Sequence, residues 1–350
     1  MKKATTTTKV HGPSEKPLWG KTVLLTGGTG SFGREFIRLA LERHRAKRII
    51  VFSRDELKQH ELALQLQDPR VSFFLGDVRD KDRLYRAFQA EIDVIVHAAA
   101  LKQVPACEYN PFEAVKTNVI GAQNIIDAAI DCRIPKVIAL STDKAVNPVN
   151  LYGATKLCAE KLFVQGNAYA GGKITRFSCV RYGNVIGSRG SFIPLLTAQR
   201  ATGRITVTDP RMTRFWMTLE QAVDVVVRSL GLMKGGEVFV PRIPSMRVID
   251  IVRAIAPDCR IEYTGIRPGE KLHEVLISFD EARHTVATDD LFVIEPQYSG
   301  WGRTERVHGQ PTPAGFTFTS DTNERWLSED ELLRLVGEKT NVIPISSAGR

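Results

Sequence analysis

Thr22-Val-Leu-Leu-Thr-Gly-Gly-Thr-Gly-Ser-Phe-Gly33 decides the fold of this chain. A short apolar run ends in a cluster of glycines, and a helix-length stretch follows directly. Gly28, Gly30 and Gly33 satisfy G-x-G-x-x-G, and Gly27, Gly30 and Gly33 satisfy an even three-residue spacing equally well. Between a strand and a helix, such glycines permit a tight turn and let the amides of the helix N-terminus approach a pyrophosphate. The strand–loop–helix context turns an otherwise weak motif into a specific one.

Outward from the loop, similar runs recur: Arg48-Ile-Ile-Val-Phe52, Val71-Ser-Phe-Phe-Leu75, Val94-Ile-Val-His97, Val137-Ile-Ala-Leu140 and Phe177-Ser-Cys-Val-Arg-Tyr182. Their continuous apolar character, without clean alternation, predicts strands buried on both faces of a parallel sheet. Helix-length segments separate them: 33–45, 56–67, 81–89 and a long one over 111–132. The class expected is α/β, a doubly wound parallel Rossmann-type sheet, with ligand bound beyond the carboxyl ends of the strands. Residues 20–185 form this cofactor domain, with a segment at about 219–243 packing back on it. Residues 186–298, rich in turns and arginines, read as a smaller substrate-binding lobe. The first 19 residues read as a disordered tail. Residues 299–350 form an extension, loosely ordered apart from a helix at 328–336.

The formal net charge is +9, from 48 Lys and Arg against 39 Asp and Glu. Basic residues do not cluster with aromatics on one element, so no nucleic-acid face is expected. Arginines recur singly in the second half, where a subset suits a diphosphate. No apolar run reaches the roughly 18 residues of a membrane span, and no apolar segment follows Met1-Lys-Lys3 as in a signal peptide. The five scattered cysteines show no metal-ligand spacing and read as reduced thiols in a cytoplasmic protein, so no metal is expected.

The end of the second strand addresses cofactor choice. It reads Phe52-Ser53-Arg54, and only then Asp55. A hydroxyl and a guanidinium suit a 2′-phosphate, which favours NADP; the alternative leaves Arg54 in solvent and gives the ribose to Asp55. Asp77 reads either as a contact to the adenine edge or as an Asx turn or helix cap before Lys81. Ala98, Ala99 and Ala100 allow close approach of a cofactor to the backbone.

Chemistry concentrates in Ser141-Thr-Asp-Lys144, followed by Tyr152 and Lys156. Tyr152 and Lys156 share a helix face. A cation near the tyrosine favours its phenolate. The additional Asp143 and Lys144 suggest a hydride step coupled to other proton transfers. Asp143 suits an acid if burial raises its pKa, and Lys144 suits a base if desolvation and neighbouring cations keep it neutral. His97 and His273, as lone histidines, read as structural.

These residues, with Asn118, resemble the extended short-chain dehydrogenase/reductases. Longer motifs narrow the match: Ser53-Arg-Asp-Glu-Leu-Lys58, Ala99-Ala-Leu-Lys-Gln-Val-Pro105, Ser141-Thr-Asp-Lys-Ala-Val-Asn-Pro148, Asn150-Leu-Tyr-Gly-Ala-Thr-Lys156, Arg181-Tyr-Gly-Asn-Val185, Arg211-Met-Thr-Arg-Phe-Trp216 and Arg267-Pro-Gly-Glu-Lys-Leu-His-Glu274. They are similar to those of the inverting UDP-N-acetylglucosamine 4,6-dehydratases, which begin pseudaminic acid synthesis. The resemblance implies catalysis by Thr142, Asp143, Lys144, Tyr152 and Lys156. It implies an NADP groove that also includes Thr29, Ser31, Phe32, Lys58, Val78, Ser141 and Val185. UDP-N-acetylglucosamine would meet Lys102, Asn184, Arg189, Thr208, Arg267 and Glu270. It further implies a homo-oligomer. Rival readings are a retaining dehydratase or a 4-epimerase of a nucleotide sugar, or a non-catalytic NADP-sensing scaffold.

Overall fold

The computed structural model describes residues 16–172, 174–190, 192–297 and 306–340. Six strands alternating with helices build the first half: β1 (Thr22–Thr26), α1 (Ser31–Glu42), β2 (Arg48–Ser53), α2 (Glu56–Leu66), β3 (Val71–Leu75), α3 (Lys81–Phe88) and β4 (Val94–His97). Then come α4 (Val104–Tyr109), α5 (Pro111–Val115), α6 (Gly121–Asp131), β5 (Lys136–Thr142), α7 (Leu151–Ala170) and β6 (Arg176–Tyr182). The single helix expected over 111–132 is broken at Lys116–Ile120 by a π-turn. Such turns re-aim a side chain at a functional site, and this one carries the buried Asn118.

The second half alternates between the two units. It runs β7 (Asn184–Val185), α8 (Phe192–Arg200), β8 (Arg204–Val207), β9 (Thr213–Met217), α9 (Leu219–Leu232), β10 (Val238–Pro241), β11 (Ser245–Arg247) and α10 (Val248–Ile255). It ends with β12 (Arg260–Tyr263), β13 (Val275–Ile277), α11 (Phe279–Ala282), β14 (Thr285–Ala287), β15 (Leu291–Ile294), β16 (Gln310–Pro311), β17 (Phe318–Thr319) and α12 (Glu329–Thr340).

One ten-stranded sheet has the order β16-β14-β15-β10-β6-β5-β4-β1-β2-β3. From β10 to β3 every pairing is parallel. The β15, β14 and β16 edge is antiparallel. The order reverses between β1 and β4, which places the ligand crevice at their carboxyl ends. Central strands are buried along their length, as in β1 and β4, because helices cover both faces. The edge strand β3 is only half-buried. One apolar cluster lies on each face of the sheet. A third, around Ile205, Trp216, Ile251 and Leu332, is the core of the lobe.

Three expectations about segment boundaries change. Leu18 is fully buried against the α1 face, so order begins by Lys16; residues 1–15 lie outside the described residues. Burying one leucine is worth roughly 1.5–3 kcal/mol, enough to hold a short segment. The later segments that pack on the large sheet are not limited to α9 and β10, since β14 and β15 join it too. The C-terminal extension is not loose where it is described: β16 pairs with β14, β17 pairs with β13, and Leu332 of α12 is fully buried.

Candidate active site

A cleft of about 560 Å³ opens at the carboxyl ends of β1, β4, β5 and β6. Its floor begins at the glycine loop. A Cβ on Gly33 would stand 2.4 Å from the Gly28 backbone, so only glycine lets α1 pack so closely on the loop. The α1 N-terminus has no side-chain cap and no acidic residue in its first turn. Its unpaired amides therefore face the cleft as donors for an anion. Thr29 hydrogen-bonds Ser53 across the loop at 3.2 Å, and Ser31 Oγ accepts the Arg189 amide at 2.9 Å.

The rim at β2 carries Arg54 and Asp55. Asp55 caps α2, accepting the Lys58 amide at 3.0 Å and pairing with the Lys58 ammonium. Hydrogen bonds from Lys58 hold its carboxyl below the usual range. Arg54 is 55% exposed and has only a loose 3.7 Å pair with Asp77. Asp77 makes an Asx turn to the Arg79 amide at 3.0 Å and pairs with the Arg79 guanidinium at 2.7 Å. Burial pushes its carboxyl upward, but the Arg79 hydrogen bonds outweigh that and hold it low. The cap of α3 is Asp80, not Asp77.

Asn118 ties the segment after β4 to α7. Its side chain accepts from the Leu101 amide and donates to the Leu101 carbonyl, both at 2.9 Å, and donates to Thr155 Oγ1 at 3.0 Å. This anchor places Lys102 at the cleft mouth. The Lys102 ammonium is lowered from its usual pKa by desolvation and by the charge of Lys144.

The chemistry sits where β5 ends and α7 begins. A Cβ on Gly153 would fall 2.1 Å from the Lys144 carbonyl oxygen. Glycine there allows the first turn of α7 to press Tyr152 against the Asp143–Lys144 turn. Asp143 is fully buried and accepts from Thr142 Oγ1 at 2.8 Å and from Lys144 Nζ at 3.1 Å. Its second carboxylate oxygen, Oδ2, is buried without a hydrogen bond. Burial raises the Asp143 pKa, against the pull of Lys144. Burial, only partly offset by the Lys144 charge and Thr142, pushes Tyr152 up to about 12.

Two expectations need correction here. Lys144 is not neutralised by cations: it lies 3.1 Å from Asp143 and 3.4 Å from Glu274. Burial lowers its pKa, but the two carboxylates more than offset this and hold the amine protonated. The cation that favours the Tyr152 phenolate is accordingly Lys144. Lys156 donates instead to the Leu140 carbonyl at 2.7 Å, and burial lowers its pKa.

Ser141 and Thr142 also separate. The Ser141 hydroxyl donates to the buried Glu160 at 2.7 Å, and Glu160 is held by the fully buried Arg181. Thr142 is the hydroxyl beside Asp143. His97 bonds Thr26 Oγ1 at 2.8 Å, and its burial lowers its pKa to about 3. His273 bonds Thr213 Oγ1 at 2.9 Å. Both histidines have partners and neither borders the cleft.

The cleft brings together all residues named for catalysis and for the cofactor, with Val78, Ala98, Ala99 and Val185 in its walls. Of the substrate candidates, Lys102, Asn184 and Arg189 line it, and Thr208, Arg267 and Glu270 do not. The loop bearing the last two docks on the α7 cap, where Asn150 donates to the Gly269 carbonyl at 2.8 Å. Sequence reading missed Thr117, Tyr182 and Leu219 in the walls, and Glu274 behind Lys144. Glu274 ended a quoted motif, but nothing local distinguishes a buried glutamate from a surface one. Among the described residues, no His, Cys, Asp and Glu cluster forms a metal site, and no helix is long and apolar enough to cross a membrane.

A family profile described as polysaccharide biosynthesis protein matches residues 23–296. A UDP-N-acetylglucosamine 4,6-dehydratase (inverting) of Campylobacter jejuni is 47% identical over 325 residues, 90% of this chain and 97% of its own. A UDP-glucose 4-epimerase of Rickettsia akari is 41% identical over 279 residues, 77% of this chain and 81% of its own. Among solved structures, the X-ray structure of Pen from Bacillus thuringiensis has a TM-score of 0.84 at 37% identity, over 92% of this chain and 98% of that one.

Proposed function

The chain belongs to the family of the inverting UDP-N-acetylglucosamine 4,6-dehydratases, and from that membership we propose that it dehydrates UDP-N-acetylglucosamine itself, with NADP and with inversion at C5. The product is UDP-2-acetamido-2,6-dideoxy-β-L-arabino-hexos-4-ulose, and the reaction opens pseudaminic acid synthesis. The observation that carries the reading is the buried Asp143–Lys144 pair at the end of β5, pressed against Tyr152 in the cleft. A simple alcohol oxidation needs only the tyrosine, the lysine and a hydroxyl. An acid and an amine beside them fit an elimination.

The glycine loop and the uncapped α1 N-terminus fit the pyrophosphate of a dinucleotide. Arg54 and Lys58 fit its 2′-phosphate, because Asp55 is committed to capping α2. When bound, the nicotinamide supplies a hydride acceptor at C4 and returns the same hydride to C6, so no reduced cofactor accumulates. Tyr152 as phenolate takes the C4 hydroxyl proton as the ketone forms. The ketone acidifies the C5 proton, which Lys144 removes as the free amine. Asp143 in its protonated form gives its proton to the C6 hydroxyl, which leaves as water. A solvent-derived proton delivered to C5 from the opposite face completes the inversion, and Tyr152 releases the C4 hydroxyl proton to solvent. Lys102 and Arg189 offer cations for the diphosphate.

The 4-epimerase reading draws on the Rickettsia relative, whose printed name carries that activity. One experiment separates the two. Purified protein is incubated with UDP-N-acetylglucosamine in deuterated water, and products are read by NMR alongside NADPH absorbance. A 6-deoxy-4-keto sugar with deuterium at C5 and no net NADPH is expected, and Tyr152→Phe should abolish it. A C4 epimer retaining its C6 hydroxyl and an unlabelled C5 would overturn the dehydratase reading.

A further inference from the structure

Glu274 precedes β13 and lies outside the cleft wall, with a side chain only 3% exposed. It is the shared anion of three cations. Its Oε1 is 3.4 Å from Lys144 Nζ and 3.7 Å from Arg214 Nε, and its Oε2 is 3.9 Å from Lys271 Nζ. That Oε2 is buried and makes no hydrogen bond.

The other two cations have separate anchors. Arg214 donates to the carbonyls of Thr213, Leu272 and Lys271, and Lys271 donates to the Val146 carbonyl at 2.6 Å. Among the described residues, the ion pairs of the Lys144 ammonium are with two carboxylates, Asp143 and Glu274. The Glu274 backbone is itself clamped: its amide donates to Ser320 Oγ, and its carbonyl accepts the Ser320 amide, both at 2.9 Å. Ser320 is fully buried and hydrogen-bonded to Thr213. The carboxylate is therefore fixed from the substrate-lobe side, while Asp143 belongs to the same turn as Lys144.

We propose that Glu274 is a positioning residue that holds the Lys144 ammonium in place and sets the pH at which Lys144 begins to act as the C5 base. The proposal rests on the reading of Lys144 as that base. The charged and titratable groups facing Lys144 are Asp143 on its own turn, Tyr152 on α7, Lys102 after β4, Arg214 on β9, and Lys271 with Glu274 in the 264–274 loop. Asp143 and Glu274 favour the charged amine. Arg214, Lys271 and Lys102 oppose it. Removing Glu274 leaves Asp143 as the single anion against three cations, so Lys144 must then lose its proton at lower pH.

The test follows C5 deuterium wash-in and NADPH formation on mixing with UDP-N-acetylglucosamine, both as functions of pH. In Glu274→Gln the ascending limb of wash-in should move to lower pH by about one unit, roughly a tenfold change in the free-amine fraction below the midpoint. Glu274→Asp, which keeps the charge, should restore the limb toward wild type. Lys271→Gln should move it the other way, and it serves as the test if Glu274→Gln does not fold. A uniform loss of rate at every pH, with the limb unmoved in Glu274→Gln or Lys271→Gln, would show a merely structural role and overturn the proposal. Lys144→Ala tells the two failures apart: wild-type wash-in in that variant removes Lys144 as the base, whereas lost wash-in with an unmoved Glu274→Gln limb removes only the role of Glu274.

Discussion

Replacing Arg54 by alanine tests cofactor choice where the structure gives the magnitude. The guanidinium is 55% exposed and its present partner, Asp77, is 3.7 Å away. A surface pair of that length contributes no more than about 1 kcal/mol, so Arg54 gives up little to turn toward a 2′-phosphate. A charge-assisted hydrogen bond to that phosphate is worth about 1.5–3 kcal/mol. Solvent screening at a half-exposed site and the nearby Lys58 argue for the lower half of that range. Affinity for NADP should then fall about 10- to 30-fold, since each 1.4 kcal/mol is a factor of ten. NAD lacks the 2′-phosphate and should weaken less than about threefold by the same scale. Titration calorimetry with cofactor-stripped protein at one fixed ionic strength measures both, because exposed charge pairs are salt-sensitive. Equal losses for the two cofactors would refute the reasoning and return attention to Asp55 at the ribose.

Gly33→Ala should lower stability by at least about 1–3 kcal/mol in thermal melts, because its Cβ meets backbone that cannot step aside. Gly30→Ala, whose Cβ would be 3.3 Å from its nearest neighbour, the Gly27 carbonyl, should melt close to wild type; melts that coincide for the two variants would count against the packing argument. His97 is neutral in the fold, with a pKa lowered by burial to about 3 from 6.5. The unfolded chain binds its proton between those values and the folded one does not. Stability should therefore fall as pH drops from about 6.5 toward 3, by up to about 3 kcal/mol at pH 4. Urea unfolding at several pH values should show a shallower slope for His97→Asn, and identical slopes would rule out His97 as a source.

The parallel half of the sheet was legible because a strand buried on both faces has no polar alternation to confuse it, and each run from Thr22 to Tyr182 became a strand near its expected bounds. The added strands β14, β15 and β16 were not legible. They are short, lie far along the chain from β10, and owe their place to tertiary pairing, β15 with β10, β14 with β15 and β16 with β14. The π-turn was hidden because Lys116–Ile120 contains neither proline nor glycine to mark a break. Leu18 showed nothing in sequence to set it apart from the threonine-rich tail before it. In the site, local motifs placed the loop, Tyr152 and the Asp143–Lys144 turn together. The charge state of Lys144 was misjudged because its second carboxylate arrives from residue 274, a tertiary fact with no local trace. The same limit made Ser141 and Thr142 look interchangeable until Glu160 claimed one of them.

On the proposed reading, the charges around Lys144 also order the two halves of the reaction. Tyr152, pushed up to about 12 by burial, needs a cation to ionise, and the cation at hand is Lys144. Lys144 must therefore be protonated while Tyr152 accepts the C4 hydroxyl proton. Removal of the C5 proton needs the opposite state, a free amine. Once Tyr152 has become neutral phenol, one reason for Lys144 to stay charged has gone. Asp143, 3.1 Å away, is buried and disposed to hold a proton. Shifting one proton from Lys144 to Asp143 removes two buried charges and creates the amine for C5 and the carboxylic acid for the C6 hydroxyl together. The elimination then returns the proton to Lys144 from C5 and leaves Asp143 ionised, so the pair ends as it began. An acid or amide at position 144 could not serve both halves. The carboxylate would repel the Tyr152 phenolate, and the amide has no proton to shift.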